Sequence, residues 1–174
     1  QTGDGKITSA DKVVIGNAQP LRVGGFSLSG YLYGFDFSAN CSYVFGNNIY
    51  NANKIEFSHS RKYTNRNLLK SMGVENRWTN IDWDTGEEIT DADRLAESNA
   101  GTTMWNPGAN KAIFSDWAVE DGSFLRLQSA TIGYTLPQEW TMKIKMQKLR
   151  VYVTGTNLFC LTKYSGYDPE VDTR

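Results

Sequence analysis

The stretch FDFSANCSYVF, residues 35–45, alternates apolar and polar side chains along nearly its whole length. Its odd-numbered positions are all apolar or aromatic: Phe35, Phe37, Ala39, Cys41, Tyr43 and Phe45. The even-numbered positions are polar, with Val44 as the exception. Because successive side chains of an extended chain point to opposite sides, this pattern predicts a β-strand with two unlike faces.

Three further strands are predicted around this stretch. A strand over residues 21–32 precedes it, and Gly34 in the intervening YGFD sequence predicts a tight hairpin. The sequences SFLRLQSATIGYTLP and LRVYVTGTNLF predict the other two strands, separated by the short connector QEWTMKIKMQK. In the first of these, Ile132 and Tyr134 share one face, whereas the FLRLQ portion does not indicate its faces clearly. The predicted β-hairpins therefore cover residues 21–46 and 123–159.

The predicted hairpins are joined and flanked by long, turn-rich segments. These cover residues 1–20, 47–122 and 160–174, and DADRLAESNA in the middle one predicts a short helix with Asp91 as its N-cap. Short turns that alternate with long loops are typical of transmembrane β-barrels, in which the short turns are periplasmic and the long loops extracellular. The predicted fold class is therefore all-β, with about four antiparallel strands taken from a large transmembrane barrel.

A soluble antiparallel β-sandwich fits the strand pattern as well, because periodicity does not distinguish a face in lipid from a face in a core. The aromatic positions favour the barrel. Tyr31, Tyr33 and Trp140 fall at the short-turn end of the predicted strands, and Tyr50 falls at the long-loop end. Aromatic girdles at both membrane interfaces have this arrangement.

Composition and charge restrict the function further. The 174 residues are 40% hydrophobic and 13% aromatic, with a formal net charge of −1. Such a balance does not indicate a nucleic-acid partner. No run approaches the roughly 20 apolar residues of a membrane-spanning helix, but the strands of a membrane barrel do not need one.

Several segments, in this order, resemble the C-terminal part of SusC/RagA-type TonB-dependent outer-membrane transporters. They are GDGKITSADKVVIGNAQP, GFSLSGYLYGFDFSANCSYVFGNNIYN, NRWTN, SFLRLQSATIGYTLP and LRVYVTGTNLFCLTKYSGYDPEV. The resemblance covers most of the chain except the loop around residues 81–106. It implies a multi-pass barrel of about 22 strands in the outer membrane of a Gram-negative bacterium.

The same resemblance implies partners and a transport role. Proteins of this kind import oligosaccharides or peptides, work with a SusD-like surface lipoprotein that covers the barrel, and receive energy from TonB through an N-terminal TonB box. About four strands do not close a barrel. We therefore expect this sequence to be one section of a larger protein, with the plug, the TonB box and the final strand outside it.

A barrel wall gives each strand face a distinct environment. The apolar face is expected to contact outer-membrane lipid, and the small polar side chains, among them Ser38 and Thr131, are expected to face the lumen or a plug. The predicted lipid-facing residues are Phe35, Phe37, Tyr43, Phe45, Ile132 and Tyr134.

The sequence TGDGKITSAD resembles the later part of an EF-hand-type calcium loop. Asp4 would take position five, Lys6 position seven through its carbonyl, and Asp11 position twelve. The first ligand would precede Gln1. The alternative is a Gly-Asp-Gly turn in which the aspartate caps backbone amides.

The loop tryptophans are candidate substrate contacts. Sugar rings stack on aromatic planes while neighbouring polar side chains bind their hydroxyl groups, and NRWTNIDWD supplies both kinds of side chain. The residues expected to face substrate or the lipoprotein lid are Arg77, Trp78, Asn80, Asp82, Trp83, Trp105 and Trp117. The alternative is that these rings hold the long loop together.

No catalytic constellation is visible, so an enzyme is not predicted. His59 is the sole histidine, and the paired carboxylates lie in loop sequence without an apolar environment that would tune a pKa. In the basic run MKIKMQK, Lys143, Lys145 and Lys148 could contact anionic lipid headgroups or simply be solvated. The alternative function is a soluble β-sandwich module that binds carbohydrate through its loop aromatics.

Overall fold

The computed structural model describes residues 8–60, 65–108 and 115–170. The chain divides into two compact units. The first, here called the strand unit, comprises the described residues within 8–50 and 119–170. The second, the loop unit, comprises the described residues within 51–118.

The secondary structure of the described residues consists of strands and short helices. The strands are β1 (Arg22–Leu32), β2 (Phe35–Phe45), β3 (Asn48–Tyr50), β4 (Val119–Asp121), β5 (Phe124–Thr135) and β6 (Arg150–Thr162). The α-helices are α1 (Ala52–Glu56), α2 (Ala92–Ser98) and α3 (Gln138–Met142). Single 3₁₀ turns occupy Ser9–Asp11, Lys70–Met72 and Asp116–Ala118. No helix in the part of the chain that is described is long and apolar enough to cross a membrane.

The strand unit is built on one antiparallel four-stranded sheet with the order β1-β2-β5-β6. Tyr33 and Gly34 form the two-residue turn between β1 and β2, with φ values of 50° and 85°. Two positive φ angles are characteristic of the type I′ turn, whose twist matches that of the flanking strands. The predicted tight hairpin is therefore present. The strands β3 and β4 form a separate two-stranded ladder.

A bulge in β5 explains the unclear faces of FLRLQ. Cys41 pairs with Leu127 and Asn40 pairs with Ser129, so Gln128 is an extra residue opposite β2. The pairing of β5 with β6 also shifts between Leu127 and Ser129. One inserted residue reverses the alternation of side chains, so the faces of β5 do not follow a single period.

The register collects apolar side chains on one face of the sheet, called the apolar face. Its larger members are Phe26, Leu28, Leu32, Phe35, Phe37, Tyr43, Phe45, Leu125, Leu127, Ile132, Tyr134, Val151, Val153, Phe159 and Leu161. Exposed fractions reach 57% for Phe35, 64% for Ile132 and 75% for Val153. Tyr43 and Tyr134 are half-buried because their rings lie 5.5 Å from Phe45 and 4.5 Å from Phe35, between centroids. The apolar face of the sheet is therefore largely exposed.

The opposite face, called the polar face, carries a hydrogen-bonded row across three strands. Ser27 Oγ donates to Asn40 Oδ1 at 2.7 Å, and Asn40 Nδ2 donates to Ser129 Oγ at 2.9 Å. The hydroxyl groups of Thr131 and Thr154 are also 2.9 Å apart. Cross-strand polar pairs of this kind stabilise a sheet whose polar side does not pack into an apolar core.

The buried apolar core of the described residues is small. It contains Met72, Ile89 and Ala118 in the loop unit and Phe124 in the strand unit. A soluble domain of this length normally buries far more of its large apolar side chains. The large apolar area that the sheet leaves exposed is the main difference between this chain and an ordinary globular domain.

Candidate ligand-binding cleft in the loop unit

A short irregular hairpin forms the centre of the loop unit. The amide of Asp82 donates to the Glu87 carbonyl at 2.9 Å, and the amide of Ile89 donates to the Asn80 carbonyl at 2.8 Å. Gly86 has a φ of 74°, which closes the turn between these two arms. These backbone bonds fix the positions of the side chains from Asn80 to Asp84.

Helix α2 is attached to this hairpin through Asn99. Its Oδ1 accepts from the Thr79 amide, and its Nδ2 donates to the carbonyls of Thr79 and Leu95, each at 2.8 Å. Asp91 caps the helix by accepting from the Arg94 amide at 2.8 Å, so the predicted helix and its N-cap are present. The helix thereby brings Arg94 next to Asp82, with which it forms an ion pair.

An open cleft of about 480 Å³ lies between the hairpin and its neighbours in the loop unit. Of the residues predicted to face substrate, Arg77, Asp82 and Trp83 line it. The guanidinium carbon of Arg77 is 5.2 Å from the centre of the Trp83 ring, and Trp83 is 56% exposed. Arg94 also lines the cleft, although the sequence did not indicate it. An exposed indole held by a cation beside polar groups is suited to binding a polar ligand with apolar faces.

Asp82 is held as a carboxylate by its surroundings. The pKa of Asp82 is lowered, chiefly because its carboxylate accepts a hydrogen bond from the Asp84 amide at 2.9 Å. The amide of Thr85 and the charge of Arg94 act in the same direction, whereas partial burial opposes them. Most of the hydrogen-bonding capacity of Asp82 is therefore used to shape the turn that presents Trp83.

Trp78 and Asn80 lie in the same segment but do not line the cleft. The Trp78 amide donates to the Met104 carbonyl at 2.7 Å, and its ring is 41% exposed. Asn80 Nδ2 donates to Glu88 Oε1 at 2.8 Å. Of the two tryptophans in this segment, Trp83 is the one that lines the cleft.

Trp105 and Trp117 form a second aromatic cluster within the loop unit. Their rings meet edge to face, with centroids 4.7 Å apart and planes at 75°. Lys54 Nζ lies 4.6 Å from the centre of the Trp117 ring and donates to the Trp117 carbonyl at 2.7 Å, while His59 lies 6.1 Å from Trp105. These contacts hold distant parts of the loop together, which is the role that the sequence offered as the alternative to ligand binding.

The candidate calcium loop falls mostly outside the described residues, because Asp4 and Lys6 lie there. The described Asp11 accepts from the Thr8 amide at 2.9 Å and completes a capping box on the turn Ser9–Asp11. Among the described residues, no group of three or more His, Cys, Asp or Glu side chains is placed to hold a metal ion.

Two ion-pair groups on the polar face were not anticipated from the sequence. Asp36 of β2 and Arg150 of β6 pair across the intervening strand β5, with Arg150 Nε donating to Asp36 Oδ1 at 2.9 Å. Near the long-loop end, Arg126 pairs with Asp168 at 2.6 Å and with Glu170 at 2.7 Å. Residues separated by 114 positions, such as Asp36 and Arg150, give no signal in local sequence.

The sequence of the chain is similar to those of TonB-dependent receptors. No protein-family model matches the chain. The chain is 27% identical over 172 residues to TonB-dependent receptor P3 of Formosa agariphila, a match that covers 99% of this chain and 15% of that protein. It is 29% identical over 175 residues to TonB-dependent receptor SusC of Bacteroides thetaiotaomicron, covering 98% of this chain and 15% of that protein.

Solved structures of a peptide importer match the fold of most of this chain. The RagAB peptide importer in its closed-closed state matches 90% of this chain and 15% of its own chain, with a TM-score of 0.65 and 25% identity. The RagAB peptide transporter structure gives a TM-score of 0.67 at 24% identity, over 95% of this chain and 17% of its own. The chain thus spans about 15% of the length of the curated relatives it matches. These findings confirm the resemblance to SusC/RagA-type TonB-dependent receptors and the antiparallel fold of a barrel section.

Proposed function

We propose that this chain forms one section of the wall and surface loops of an outer-membrane TonB-dependent importer. The supporting observation is the sheet of the strand unit, which has an exposed apolar face and a hydrogen-bonded polar face. A strand in a membrane barrel needs this division, because one face meets lipid and the other meets the lumen. The whole sheet is antiparallel, as the sheets of outer-membrane barrels are.

The exposed side chains of the apolar face favour lipid as their environment. Burial of a Phe, Leu, Ile or Val side chain contributes about 1.5–3 kcal/mol. More than ten such side chains lie on the apolar face, and several are over half exposed. Their exposure to water would be costly and would promote association, whereas a bilayer satisfies them without any further protein contact.

The sandwich alternative is less well supported. A β-sandwich covers the apolar face of one sheet with a second sheet. In the part of the chain that is described, the second sheet has two short strands, and the apolar face of the first remains exposed. A carbohydrate-binding sandwich would also need a larger apolar core than the described residues form.

The cleft in the loop unit is the proposed contact for cargo. Trp83 supplies an exposed aromatic plane, and the guanidinium groups of Arg77 and Arg94 supply hydrogen-bond donors. These groups suit an oligosaccharide, through stacking and hydroxyl contacts, or a peptide, through its carbonyl and carboxylate oxygens. The similarity to the RagAB peptide importer supports keeping peptide beside oligosaccharide as a cargo class. A SusD-like lipoprotein would cover the loops, and TonB would act through segments outside this sequence.

The decisive experiment is purification of the intact protein from detergent-solubilised outer membranes, with its mass and its co-purifying partners identified. We expect a chain several times longer than 174 residues, a surface lipoprotein partner, and an oligosaccharide or peptide that protects the complex from thermal unfolding. A protein of about this length that is soluble without detergent would contradict the proposal. The loop tryptophans would then be tested as an isolated carbohydrate-binding surface.

A further inference from the structure

The connection between β5 and β6, residues 137–149, has features that a barrel wall alone does not require. It lies at the same end of the sheet as the Tyr33–Gly34 turn, because Phe35 pairs with Tyr134 and Thr135 pairs with Arg150. The segment begins at Pro137 and continues through α3. Thr141, which is 1% exposed, donates its hydroxyl to the Gln138 carbonyl at 3.2 Å and so is held within the helix. We call residues 137–149 the basic segment.

The basic segment exposes large apolar side chains at alternating positions. They are Trp140, Met142, Ile144 and Met146, with exposed fractions from 46% to 61%. A connection in water would normally be polar at most of these positions. The apolar face of the sheet ends nearby at Leu32 and Val151, which are 65% and 59% exposed. Exposed apolar surface therefore continues past the ends of the strands.

Lys143 and Lys145 alternate with these apolar side chains, and Lys148 follows Met146 by two positions. Lys143, Lys145 and Lys148 are all exposed, and Glu139 is the one carboxylate in the segment. The backbone fixes this arrangement, because the amides of Lys145 and Met146 donate to the carbonyls of Met142 and Thr141 at 3.0 Å. This pair of bonds closes a helix in the Schellman manner and places Lys145 at a φ of 57°, a position where glycine is usual. A lysine is therefore present despite its conformational cost.

We propose that the basic segment binds anionic phospholipid headgroups of the leaflet at the short-turn end of the barrel. Trp140 and the three aliphatic side chains would enter the boundary between headgroups and acyl chains, and the lysines would contact the phosphates. Amphipathic surface segments bind membranes in this way, through buried apolar area together with attraction of basic residues to anionic lipid. This inference rests on the proposed function, since it needs the strands to span a bilayer.

An acidic protein partner is less consistent with the segment. Four large apolar side chains interleaved with lysines along one short connection match the depth profile of a lipid interface, where apolar and cationic groups lie within a few ångströms of each other. The neighbouring turn indicates the same depth, because the aromatic side chain of Tyr33 is also strongly exposed at this end.

The first test measures lipid retention by the intact protein. The protein is purified in detergent with added phosphatidylglycerol or phosphatidylcholine, and bound lipids are counted by native mass spectrometry. The variant Lys143→Gln/Lys145→Gln/Lys148→Gln should lose at least roughly tenfold in phosphatidylglycerol affinity, since each lysine near an anionic surface contributes roughly a fivefold effect. The matched control, Lys12→Gln/Lys70→Gln/Lys163→Gln, removes three exposed lysines elsewhere and should retain the lipid.

The second test measures depth in vesicles of phosphatidylcholine with about one-third phosphatidylglycerol. A spin label at Ile144→Cys, in a Cys41→Ala/Cys160→Ala background, should be accessible to oxygen and protected from a water-soluble nickel complex. A label at Val74→Cys in the loop unit should show the reverse. Equal lipid retention by the triple variant and the wild type, or a water-exposed label at position 144, would overturn the inference. The inference would also be overturned if the triple variant lost an acidic protein partner while its lipid retention stayed unchanged.

The two proposals fail in different ways. If the intact protein does not insert into bilayers of any composition, the proposed function is wrong. If it inserts equally well with and without phosphatidylglycerol, and the label at position 144 is in water, the barrel stands and the lipid contact of the basic segment is wrong.

Discussion

A single glycine permits the ion pair between Asp36 and Arg150. Gly133 lies on β5 opposite Asp36, directly between the two charged side chains. A Cβ atom at this position would lie 2.7 Å from both Arg150 Nη2 and Asp36 Oδ1. Real Cβ atoms do not approach neighbours this closely, so the missing side chain is what allows the pair to cross the strand. The polar face is thereby tied together across non-neighbouring strands.

We expect Gly133→Ala to destabilise the proposed barrel modestly, because the added methyl group would displace the ends of the Asp36 and Arg150 side chains and break their ion pair. Urea unfolding of the reconstituted protein would measure this change. Gly101→Ala is the matched control, because a Cβ added there would have no atom within 4 Å and little change is expected. In an Asp36→Ala background the cost at position 133 should shrink, since the two sites are coupled. Equal effects of the two glycine substitutions would contradict this account.

The carboxylate of Asp82 makes the hairpin of the loop unit sensitive to acid. Its pKa is lowered in the folded state, chiefly by the Asp84 amide, so its contribution to stability is complete above the unfolded value of about 3.9 and is lost as the pH falls through the folded pKa. Hydrogen exchange of peptides covering residues 80–89, corrected for intrinsic rates, should therefore show loss of protection below about pH 4. Asp82→Asn should be less protected at pH 7 and should lose this pH dependence. Unchanged protection in the variant would refute the role of the carboxylate.

At the scale of elements, the alternation of apolar and polar residues predicts the four strands of the sheet. One inserted residue in β5 prevents the same pattern from showing which face each side chain takes. The pattern in residues 35–45 holds at every position except Val44, and β2 occupies Phe35–Phe45. The bulge at Gln128 interrupts the pattern in β5, which is why FLRLQ did not indicate its faces. In β6, Asn157 has a positive φ at the point where the pairing with β5 shifts. The strand β6 also continues to Thr162, past the predicted hairpin boundary at 159, where Thr162 Oγ1 donates to the Ser123 carbonyl at 2.8 Å.

The two faces of β2 should respond differently to charge. Phe37 lies on the apolar face and Ser38 on the polar face. In a membrane barrel, Phe37→Arg should destabilise by about 2–4 kcal/mol near the midplane, because the guanidinium would face hydrocarbon. Urea unfolding in lipid vesicles would measure this cost. Ser38→Arg is the matched control on the other face, and Phe37→Leu controls for the lost ring. Equal costs for arginine on both faces would count against lipid at the apolar face.

At the scale of the whole molecule, local signals were readable and long-range contacts were not. The Asp91 cap, the Tyr33–Gly34 turn and the strand alternation each arise within a few residues of chain. The cleft depends instead on Asn99 reaching Thr79, 20 residues away, and on Arg94 meeting Asp82. The packing of Trp105 on Trp117 likewise follows from the path of the loop. The sequence indicates these side chains as candidates for contact with substrate. Only the structure shows that some line the cleft while Trp105 and Trp117 form the second aromatic cluster.

Because Trp83 lines the cleft and Trp117 packs on Trp105, substitutions of Trp83 and of Trp117 are expected to have different effects. In the proposed importer, Trp83→Ala should weaken cargo binding by roughly tenfold, because the loss of an aromatic contact costs about 0.5–1.5 kcal/mol beyond its buried area. Trp117→Ala should instead lower the thermal stability of the loops, because it removes the partner of Trp105 and the ring beneath Lys54. Isothermal titration with oligosaccharide and peptide pools would measure binding. Trp140→Ala, an exposed tryptophan at the short-turn end, is the matched control and should bind cargo normally. If Trp83→Ala binds as the wild type does while Trp117→Ala does not, the cargo contact belongs to the second cluster and the cleft has another role.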